Sequence, residues 1–185
     1  RSTGLNYSAT GAISMIAPHL DAINVDLKAF RDETYQRVMK ARLEPVLTAL
    51  RALVAAGVWV EVTTLIVPGM NDSPEELADI AGFIAGDLGK SVPWHVSRFH
   101  GDYKMTGART TPIETLQLAC RIGRGAGLRF VYSGNVPGDG DENTRCPNCR
   151  HMLIQRQGFF VRSNSLADGK CPKCGEHIEG VWARP

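Results

Sequence analysis

Two pairs of closely spaced cysteines limit what the end of this chain can fold into. Cys146 and Cys149 form one C-x-x-C motif, Cys171 and Cys174 form a second, and 21 residues separate the two motifs. Two residues between cysteines allow one tight turn to direct both sulfur atoms at the same ion, about 2.3 Å away. The spacing is typical of tetrahedral four-cysteine sites and predicts a small ribbon that folds around one metal ion.

Zinc is the ion that four thiolates at this spacing favour most strongly. Rubredoxin-like iron is a weaker alternative, followed by disulfides or no ligand. A closed four-thiolate site has no open coordination position, so we expect the metal to stabilise the fold without taking part in catalysis. His151 and His177 lie next to the motifs, and a tetrahedral site has no place for either as a fifth ligand.

Between the two motifs the sequence predicts a β-hairpin with Gln-Gly at its turn. The two strands would cover residues 152–155 and 159–162. Phe159, Phe160 and Trp182 are the large apolar residues available for the core of the ribbon. Such a core is too small to fold without a crosslink, so metal binding should supply most of its folding energy.

The preceding part of the chain alternates between strand and helix patterns with a period of roughly 35 residues. Strands are predicted to start near residues 22, 58, 94 and 128, with amphipathic helices between them. Capping-box motifs at Ser73 and Thr111, each followed by proline, predict the starts of two of these helices. This alternation indicates an α/β fold with a parallel sheet, either a barrel or a doubly wound sheet.

Polar and apolar side chains alternate along the predicted strands, so one face of the sheet is expected to be polar. On the first strand Asn24, Asp26 and Lys28 alternate with apolar neighbours. Arg98 and His100 close the third strand. Binding and catalytic residues of barrels and open α/β sheets lie at the C-terminal ends of strands, which makes these side chains candidates.

Each of these candidates also has a purely structural interpretation. Asp26 and Lys28 could form an interior ion pair, and His100 could be a hydrogen-bonded core histidine instead of a ligand contact. Arg98 could bind a carboxylate or form a structural salt bridge. The polar residues of the second strand are interpreted mainly as lining of the polar face: Glu61, Thr63 and Thr64.

Charge and hydropathy argue against two classes of function. The net charge is +2, which is too small to indicate binding to nucleic acid or to an anionic membrane. Every apolar stretch is far shorter than the roughly 20 residues of a membrane-spanning helix. The chain begins at Arg1 without the pattern of a signal peptide, which predicts a piece of a longer cytoplasmic protein. Cys120 occupies an apolar position of a predicted helix and is expected to be buried.

Four segments together resemble radical S-adenosylmethionine (SAM) enzymes of the pyruvate formate-lyase-activating type. They are NVDLKAF at 24–30, VTTLIVPGMND at 62–72, WHVSRFH at 94–100 and YKM at 103–105. With the ribbon included, the sequence most resembles the radical-SAM member of the AmmeMemoRadiSam system. The resemblance implies the C-terminal part of a partial (β/α)6 barrel at residues 1–138, a linker at 139–145 and the zinc ribbon at 146–185.

Enzymes of this family use a [4Fe-4S] cluster to reduce SAM to methionine and a 5'-deoxyadenosyl radical. The resemblance implies that Asp26 and Lys28 lie against the methionine part of SAM and that His100 lies near its nucleoside. The family's cluster motif, C-x3-C-x2-C, does not occur in these 185 residues, so the ligands of the cluster are expected outside this chain. This chain alone is therefore expected to be inactive.

The resemblance leaves the substrate open between a protein glycyl radical site and a small molecule. Other proteins of the AmmeMemoRadiSam system are the expected partners. Two rival hypotheses remain: a zinc-ribbon module that binds protein or nucleic acid on an inactive barrel, and a degenerate relative that has lost the chemistry. The ribbon is mildly basic, with seven Lys/Arg against three Asp/Glu in residues 145–185, but it has few aromatic residues for stacking on bases, so nucleic acid is the less expected partner.

Overall fold

The computed structural model describes residues 2–5, 10–101, 109–136, 141–158 and 160–182. Their secondary structure divides into a parallel sheet with helices and a smaller antiparallel sheet that belongs to the ribbon. None of the helices in this described part is both long and apolar enough to cross a membrane.

Five parallel strands form one sheet in sequential order. They are β1 (Ser2–Leu5), β2 (Ala22–Asp26), β3 (Trp59–Ile66), β4 (Trp94–Arg98) and β5 (Val131–Gly134). Sequential parallel order requires a crossover between each pair of strands. The predicted parallel α/β fold is therefore confirmed.

The crossovers contain helices that pack on one face of the sheet. Their apolar stripes meet the buried side chains of the strands, which alternate with half-exposed ones in β2 and β3. The helices are α1 (Thr10–Ile16), the short α2 (Asp32–Thr34), α3 (Leu43–Ala55), α4 (Pro74–Phe83) and α5 (Ile113–Gly125). A 3-10 turn (Ala17–His19) follows α1, and π-helical turns follow α2 (Tyr35–Met39) and α4 (Ile84–Leu88).

The other face of the sheet, which we call the open face, carries polar and aromatic side chains that are half-buried. These side chains occupy the positions that alternate with the buried ones, as the sequence pattern predicts. Parallel register places residues of neighbouring strands side by side on this face. Members of the open face are Asn24, Asp26, Trp59, Glu61, Thr63, His95 and Tyr132.

Only one of the two predicted capping boxes caps its helix. The Ser73 hydroxyl accepts a hydrogen bond from the Glu76 backbone N–H at 3.2 Å, so α4 begins as predicted. The prediction for Thr111 is wrong, because no side-chain cap forms at the start of α5. The Thr111 hydroxyl instead donates to the Ile66 carbonyl at 2.6 Å and accepts from the Phe99 N–H. It thereby joins the ends of β3 and β4.

Helix α5 lies so close to the sheet at Gly123 that a side chain does not fit. A Cβ atom at this position would approach Cε3 of Trp94 to 2.9 Å, whereas Gly125 in the same helix has no atom within 4 Å of that position. We expect Gly123→Ala to lower the free energy of unfolding by about 1–3 kcal/mol through overpacking. Gly125→Ala should raise it by up to about 0.5 kcal/mol, because alanine favours the helix. Urea denaturation of both variants checks this, and equal shifts would contradict the close packing.

The ribbon contains a three-stranded antiparallel sheet in the order β6-β7-β8. Its strands are β6 (Thr144–Arg145), β7 (Met152–Gln157) and β8 (Phe160–Asn164), so the predicted hairpin is confirmed with Gly158 in its turn. Burial of Phe160 was predicted and is wrong, since 72% of this residue is exposed. Every residue of β8 is exposed, because no element of the described chain covers that strand.

A separate small core holds the ribbon together. Trp182 packs against this core and lies on Gly169 and Gly180, where a Cβ atom would approach its ring to 2.9 Å. Phe159, the third predicted member, lies outside the described residues. The buried members of this core are Phe130, Cys146, Leu153, Ile154, Cys171 and Ile178. Phe130 immediately precedes β5, so the parallel sheet contributes one side chain to the core of the ribbon.

Candidate functional site

The four paired cysteines converge as their spacing predicts. Their sulfur atoms all lie within 4.8 Å of one another. Sγ of Cys146 is 3.6 Å from Sγ of Cys174, and Sγ of Cys149 is 3.7 Å from Sγ of Cys171. A tetrahedral ion about 2.3 Å from each sulfur would separate neighbouring sulfurs by about 3.8 Å. The four thiols therefore have the geometry of a metal-binding site.

The two C-x-x-C motifs adopt the same turn. The N–H of Arg150 donates to the Cys146 carbonyl at 2.9 Å, and the N–H of Gly175 donates to the Cys171 carbonyl at 2.9 Å. Both donors lie in the left-handed region, with φ of 61° at Arg150 and 76° at Gly175. Glycine adopts this conformation readily, whereas arginine is strained in it. The first turn is therefore held in a less favourable conformation than the second.

We expect substitutions at these two positions to change the stability of the ribbon in opposite directions. Arg150→Gly should raise its free energy of unfolding by about 1 kcal/mol, because it removes the left-handed strain. Gly175→Ala should lower it by about 1–2 kcal/mol. Chelator-induced unfolding measures both, monitored by the change in tryptophan fluorescence when Trp182 leaves the ribbon core. A loss of stability in Arg150→Gly would contradict the strain argument.

Without a cation the four thiols cannot all ionise together. Burial raises the pKa of the Cys171 thiol, but backbone N–H groups of Cys174 and Lys173 outweigh it and lower that pKa to about 7. The backbone N–H of Glu176 lowers the pKa of Cys174, but burial and the three neighbouring thiols raise it to about 12. Adjacent thiolates repel one another, so the proton lost at one sulfur is retained at another. A bound divalent cation removes this repulsion.

Asp26 and Lys28 form an ion pair at the C-terminal end of β2. Nζ of Lys28 donates to Oδ2 of Asp26 at 2.8 Å. The Lys28 side chain is 37% exposed and the Asp26 side chain is 29% exposed. Both side chains are therefore partly accessible to solvent or to a ligand. The pair is therefore neither a sealed interior salt bridge nor a freely solvated one.

Asn71, which sequence reasoning did not single out, fixes the backbone beside this pair. Its amide group donates to the Lys28 carbonyl at 2.6 Å and to the Leu65 carbonyl at 2.8 Å, while its oxygen accepts from the Val67 N–H at 2.7 Å. Asn71 is 1% exposed. The loop after β3 is thereby tied to the loop after β2. The sequence signal was present in the Val-Pro-Gly-Met-Asn segment, but the partner at Lys28 is 43 residues away.

His100 lies at the same end of the sheet but is not joined to the ion pair. It follows β4, which is separated from β2 by β3. His100 is exposed, and its Nε2 lies 3.3 Å from the Asn135 carbonyl oxygen. Nε of Arg98 donates to the Thr111 carbonyl at 2.8 Å. The segment 103–105, which contributes to the family resemblance, lies outside the described residues.

A second polar cluster occupies the middle of the open face. Nε2 of His95 lies 2.7 Å from Oε2 of Glu61, whose other oxygen accepts from Nε1 of Trp59 at 3.1 Å. The His95 ring stacks on Tyr132 with centroids 5.1 Å apart, and the Arg156 guanidinium lies 5.6 Å from the centre of the same ring. Burial raises the pKa of Glu61, but the hydrogen bonds that Glu61 accepts from His95 and Trp59 oppose it, and that pKa lies below its usual value.

The ribbon docks on the parallel sheet through charged and aromatic contacts. Arg129, just before β5, lies 2.8 Å from Glu176 and 3.2 Å from Glu179. Ser91, in the loop before β4, donates to Glu179 at 2.7 Å. Arg156 of the ribbon lies over Tyr132 of the sheet. These contacts hold the ribbon against the open face and the N-terminal ends of the last strands.

No model of a known protein family matches the chain. An uncharacterised protein of Methanocaldococcus jannaschii is 46% identical over 164 residues, which cover 88% of this chain and 49% of that protein. The chain therefore spans about half the length of the curated relative that it matches.

Solved structures of other proteins resemble the fold, among them the following two. A domain of a pyruvate-formate lyase-activating enzyme from Bacteroides vulgatus has a TM-score of 0.64 and 17% identity, covering 73% of this chain and 81% of that domain. A radical SAM methyltransferase from Sphaerobacter thermophilus has a TM-score of 0.60 and 16% identity, covering 71% of this chain and 39% of that enzyme. The parallel α/β sheet of this chain thus resembles the folds of these two proteins, and it is joined to a ribbon whose four cysteines have the geometry of a metal-binding site.

Proposed function

We propose that this chain is the C-terminal part of a radical SAM enzyme of the pyruvate formate-lyase-activating type. The observation that carries the proposal is the partly exposed Asp26–Lys28 ion pair at the C-terminal end of β2, in a sheet of the radical SAM fold. Ligands of α/β folds bind at this end of the strands. The resemblance of the 24–30 segment to the family's SAM-binding strand supports the same assignment.

The chemistry of the pair matches the amino acid end of SAM, which carries an ammonium and a carboxylate. Asp26 would accept hydrogen bonds from the ammonium, and Lys28 would donate to the carboxylate. Their mutual contact at 2.8 Å holds both side chains in place before the ligand arrives. His100 is proposed to contact the nucleoside. A [4Fe-4S] cluster, held by cysteines outside this chain, would supply the electron that cleaves SAM.

We assign zinc to the cluster formed by Cys146, Cys149, Cys171 and Cys174, with a structural role. A closed set of four thiolates favours zinc and leaves no position for substrate. Residues 1–138 would form the barrel part, 139–145 the linker and 146–185 the ribbon. The substrate would be a protein or a small molecule, with other AmmeMemoRadiSam proteins as candidate partners.

The test uses the complete protein from which the chain comes, reconstituted anaerobically with iron and sulfide. Formation of 5'-deoxyadenosine after reduction with dithionite is the readout. Asp26→Asn should reduce the rate about 10–100-fold at limiting SAM, because it removes a charge-assisted contact. Asp79→Asn is the matched control, since Asp79 forms an exposed ion pair with Arg31 and should leave the rate unchanged.

The alternative is a protein-binding ribbon on a barrel without catalytic activity. The exposure of Phe160 (72%) and Val161 (61%) on the edge strand β8 favours a protein partner for the ribbon in either case. A complete protein that retains zinc and an intact cluster but forms no 5'-deoxyadenosine would favour this alternative. Loss of activity in both aspartate variants would instead contradict the specific role of Asp26.

A further inference from the structure

A cavity of about 770 Å³ lies between the open face and the ribbon. Ala22 and Trp59, the first residues of β2 and β3, line its floor, and residues 178–182 of the ribbon form part of its wall. At β2 and β3 it therefore lies at the opposite end of the strands from Asp26 and Lys28, whereas along β5 it extends to the C-terminal end, where residues 133–136 line it. Its volume falls within the range of roughly 300–1,000 Å³ that is typical of small-molecule sites.

Three aromatic side chains converge on this cavity together with His95 and Arg156. Trp59, Tyr132 and Trp182 supply flat apolar surface. His95 also lines it, and its Nε2 donates to the Glu61 carboxylate, which can only accept. This hydrogen bond fixes the orientation of the ring. In the neutral imidazole, the other ring nitrogen, Nδ1, is then an acceptor.

Arg156 provides the positive charge of the cavity. One terminal nitrogen, Nη1, donates to Thr144 Oγ1 at 2.7 Å and to the Glu142 carbonyl at 3.2 Å. Both acceptors are uncharged, and within the described part of the chain Arg156 forms no ion pair. Burial raises the pKa of Tyr132 above its usual value, and the nearby charge of Arg156 opposes that rise. Hydrogen bonds therefore hold one side of the Arg156 guanidinium in place, and its positive charge acts on the groups that line the cavity.

We propose that this cavity binds a small organic anion with a planar ring. The ring would lie against Trp59 and Trp182, and its carboxylate or phosphate would pair with the Arg156 guanidinium. The inference does not depend on the proposed SAM cleavage, since Asp26, Lys28 and His100 are not among the residues that line the cavity.

Three carboxylates also line the cavity, and each already has a partner. Both Glu61 oxygens accept hydrogen bonds, Glu142 accepts from the Gly158 N–H, and Glu179 pairs with Arg129. Arg156 is the lining cation without an ion-pair partner among the described residues, so an anion is favoured over a cation.

The test is calorimetric titration of the 185-residue zinc-loaded chain with ligands that share one ring and differ in charge. The probes are 1-naphthoate, 1-naphthyl phosphate, 1-naphthamide and 1-naphthylmethylammonium. We expect at least one of the anions to bind about tenfold more tightly than the amide, and the ammonium to bind most weakly. The two anions distinguish a carboxylate ligand from a phosphate ligand. No binding of either anion up to about 5 mM would overturn the proposal.

Two variants locate the anion contact. Arg156→Gln should weaken the preferred anion about tenfold and leave the amide within about twofold. Arg162→Gln is the matched control on the same hairpin, because Arg162 donates to Gln157 and is exposed. It should change neither affinity. Equal losses in the two variants, or tighter binding of the ammonium than of the anions, would overturn the proposal.

A third variant keeps the test decisive if Arg156→Gln releases the ribbon. Ala22→Leu leaves Arg156 in place and fills the floor of the cavity with a larger side chain. It should weaken all four probes by about tenfold or more. Unchanged binding would place the naphthalene ring elsewhere and overturn the proposal. Asp26→Asn should leave every probe unaffected, which separates this site from the proposed SAM site.

Discussion

Cys149→Ser is expected to release the metal and to unfold the ribbon while the parallel sheet stays folded. Among the described residues, six are buried in the ribbon core, and two of these are cysteines of the proposed metal site, Cys146 and Cys171. Structural zinc in small domains contributes about 10–16 kcal/mol of folding free energy. A serine hydroxyl is a poor substitute for a zinc thiolate, so most of that contribution is lost. The large core under the sheet contains none of the four cysteines.

Metal analysis of the purified protein measures the first part of this prediction, with one zinc expected per wild-type chain and almost none in Cys149→Ser. Near-ultraviolet circular dichroism should change, because Trp182 packs against the ribbon core. The matched control is Cys120→Ser. Cys120 is 1% exposed within α5, so this variant should retain zinc even if its stability falls. Folded wild-type protein without zinc or iron would contradict the site.

Loss of the ribbon is expected to affect the sheet only at its edge. Phe130 is 4% exposed and packs with the ribbon core, while Arg129 pairs with Glu176 and Glu179. Uncovering one aromatic side chain costs about 1.5–3 kcal/mol. The melting temperature of the sheet should therefore fall by several degrees without loss of cooperativity.

Local sequence patterns predicted the elements of the fold because the forces that form them are local. The 35-residue period, the alternation along β2 and β3, and the Ser73 cap all depend on residues within a few positions of one another. The convergence of the four cysteines was also predictable. Each C-x-x-C turn directs two sulfurs to the same place, and a single tetrahedral ion binds four sulfurs.

The capping-box predictions failed where tertiary contacts replaced the local contacts on which they relied. Thr111 stands in a capping pattern, yet its hydroxyl bonds to Ile66, 45 residues away. Glu76 completes the other capping pattern, but its carboxylate accepts from the Phe30 N–H at 2.6 Å. In both cases a backbone group takes a side-chain partner from a distant part of the chain. No local window contains this information.

The partnership of Glu61 with His95 escaped sequence reasoning for a related reason. The two residues lie 34 positions apart on neighbouring strands, and only the register of β3 with β4 brings them together. The register pairs Thr63 with His95, so Glu61 reaches His95 diagonally. Arg156 comes from the other sheet altogether. The cluster depends on how the ribbon docks, which composition and spacing do not specify.

The 185-residue chain alone is expected to assemble no [4Fe-4S] cluster and to form no 5'-deoxyadenosine. A radical-SAM cluster takes three thiolates from one loop, and the chain has five cysteines. The sulfurs of four of these lie within 4.8 Å of one another. The fifth, Cys120, is 1% exposed within a helix and cannot provide a cluster site by itself.

Anaerobic reconstitution with iron and sulfide, followed by reduction with dithionite in the presence of SAM, measures this expectation. The product should stay at the level of a protein-free control, and the iron bound should not exceed one ion per chain. Zinc-loaded protein excludes the case in which iron enters the ribbon, because four thiolates hold zinc more tightly than ferrous iron. Product formed by this chain would mean that the ribbon cysteines can hold a cluster, and their assignment to a closed zinc site would then be wrong.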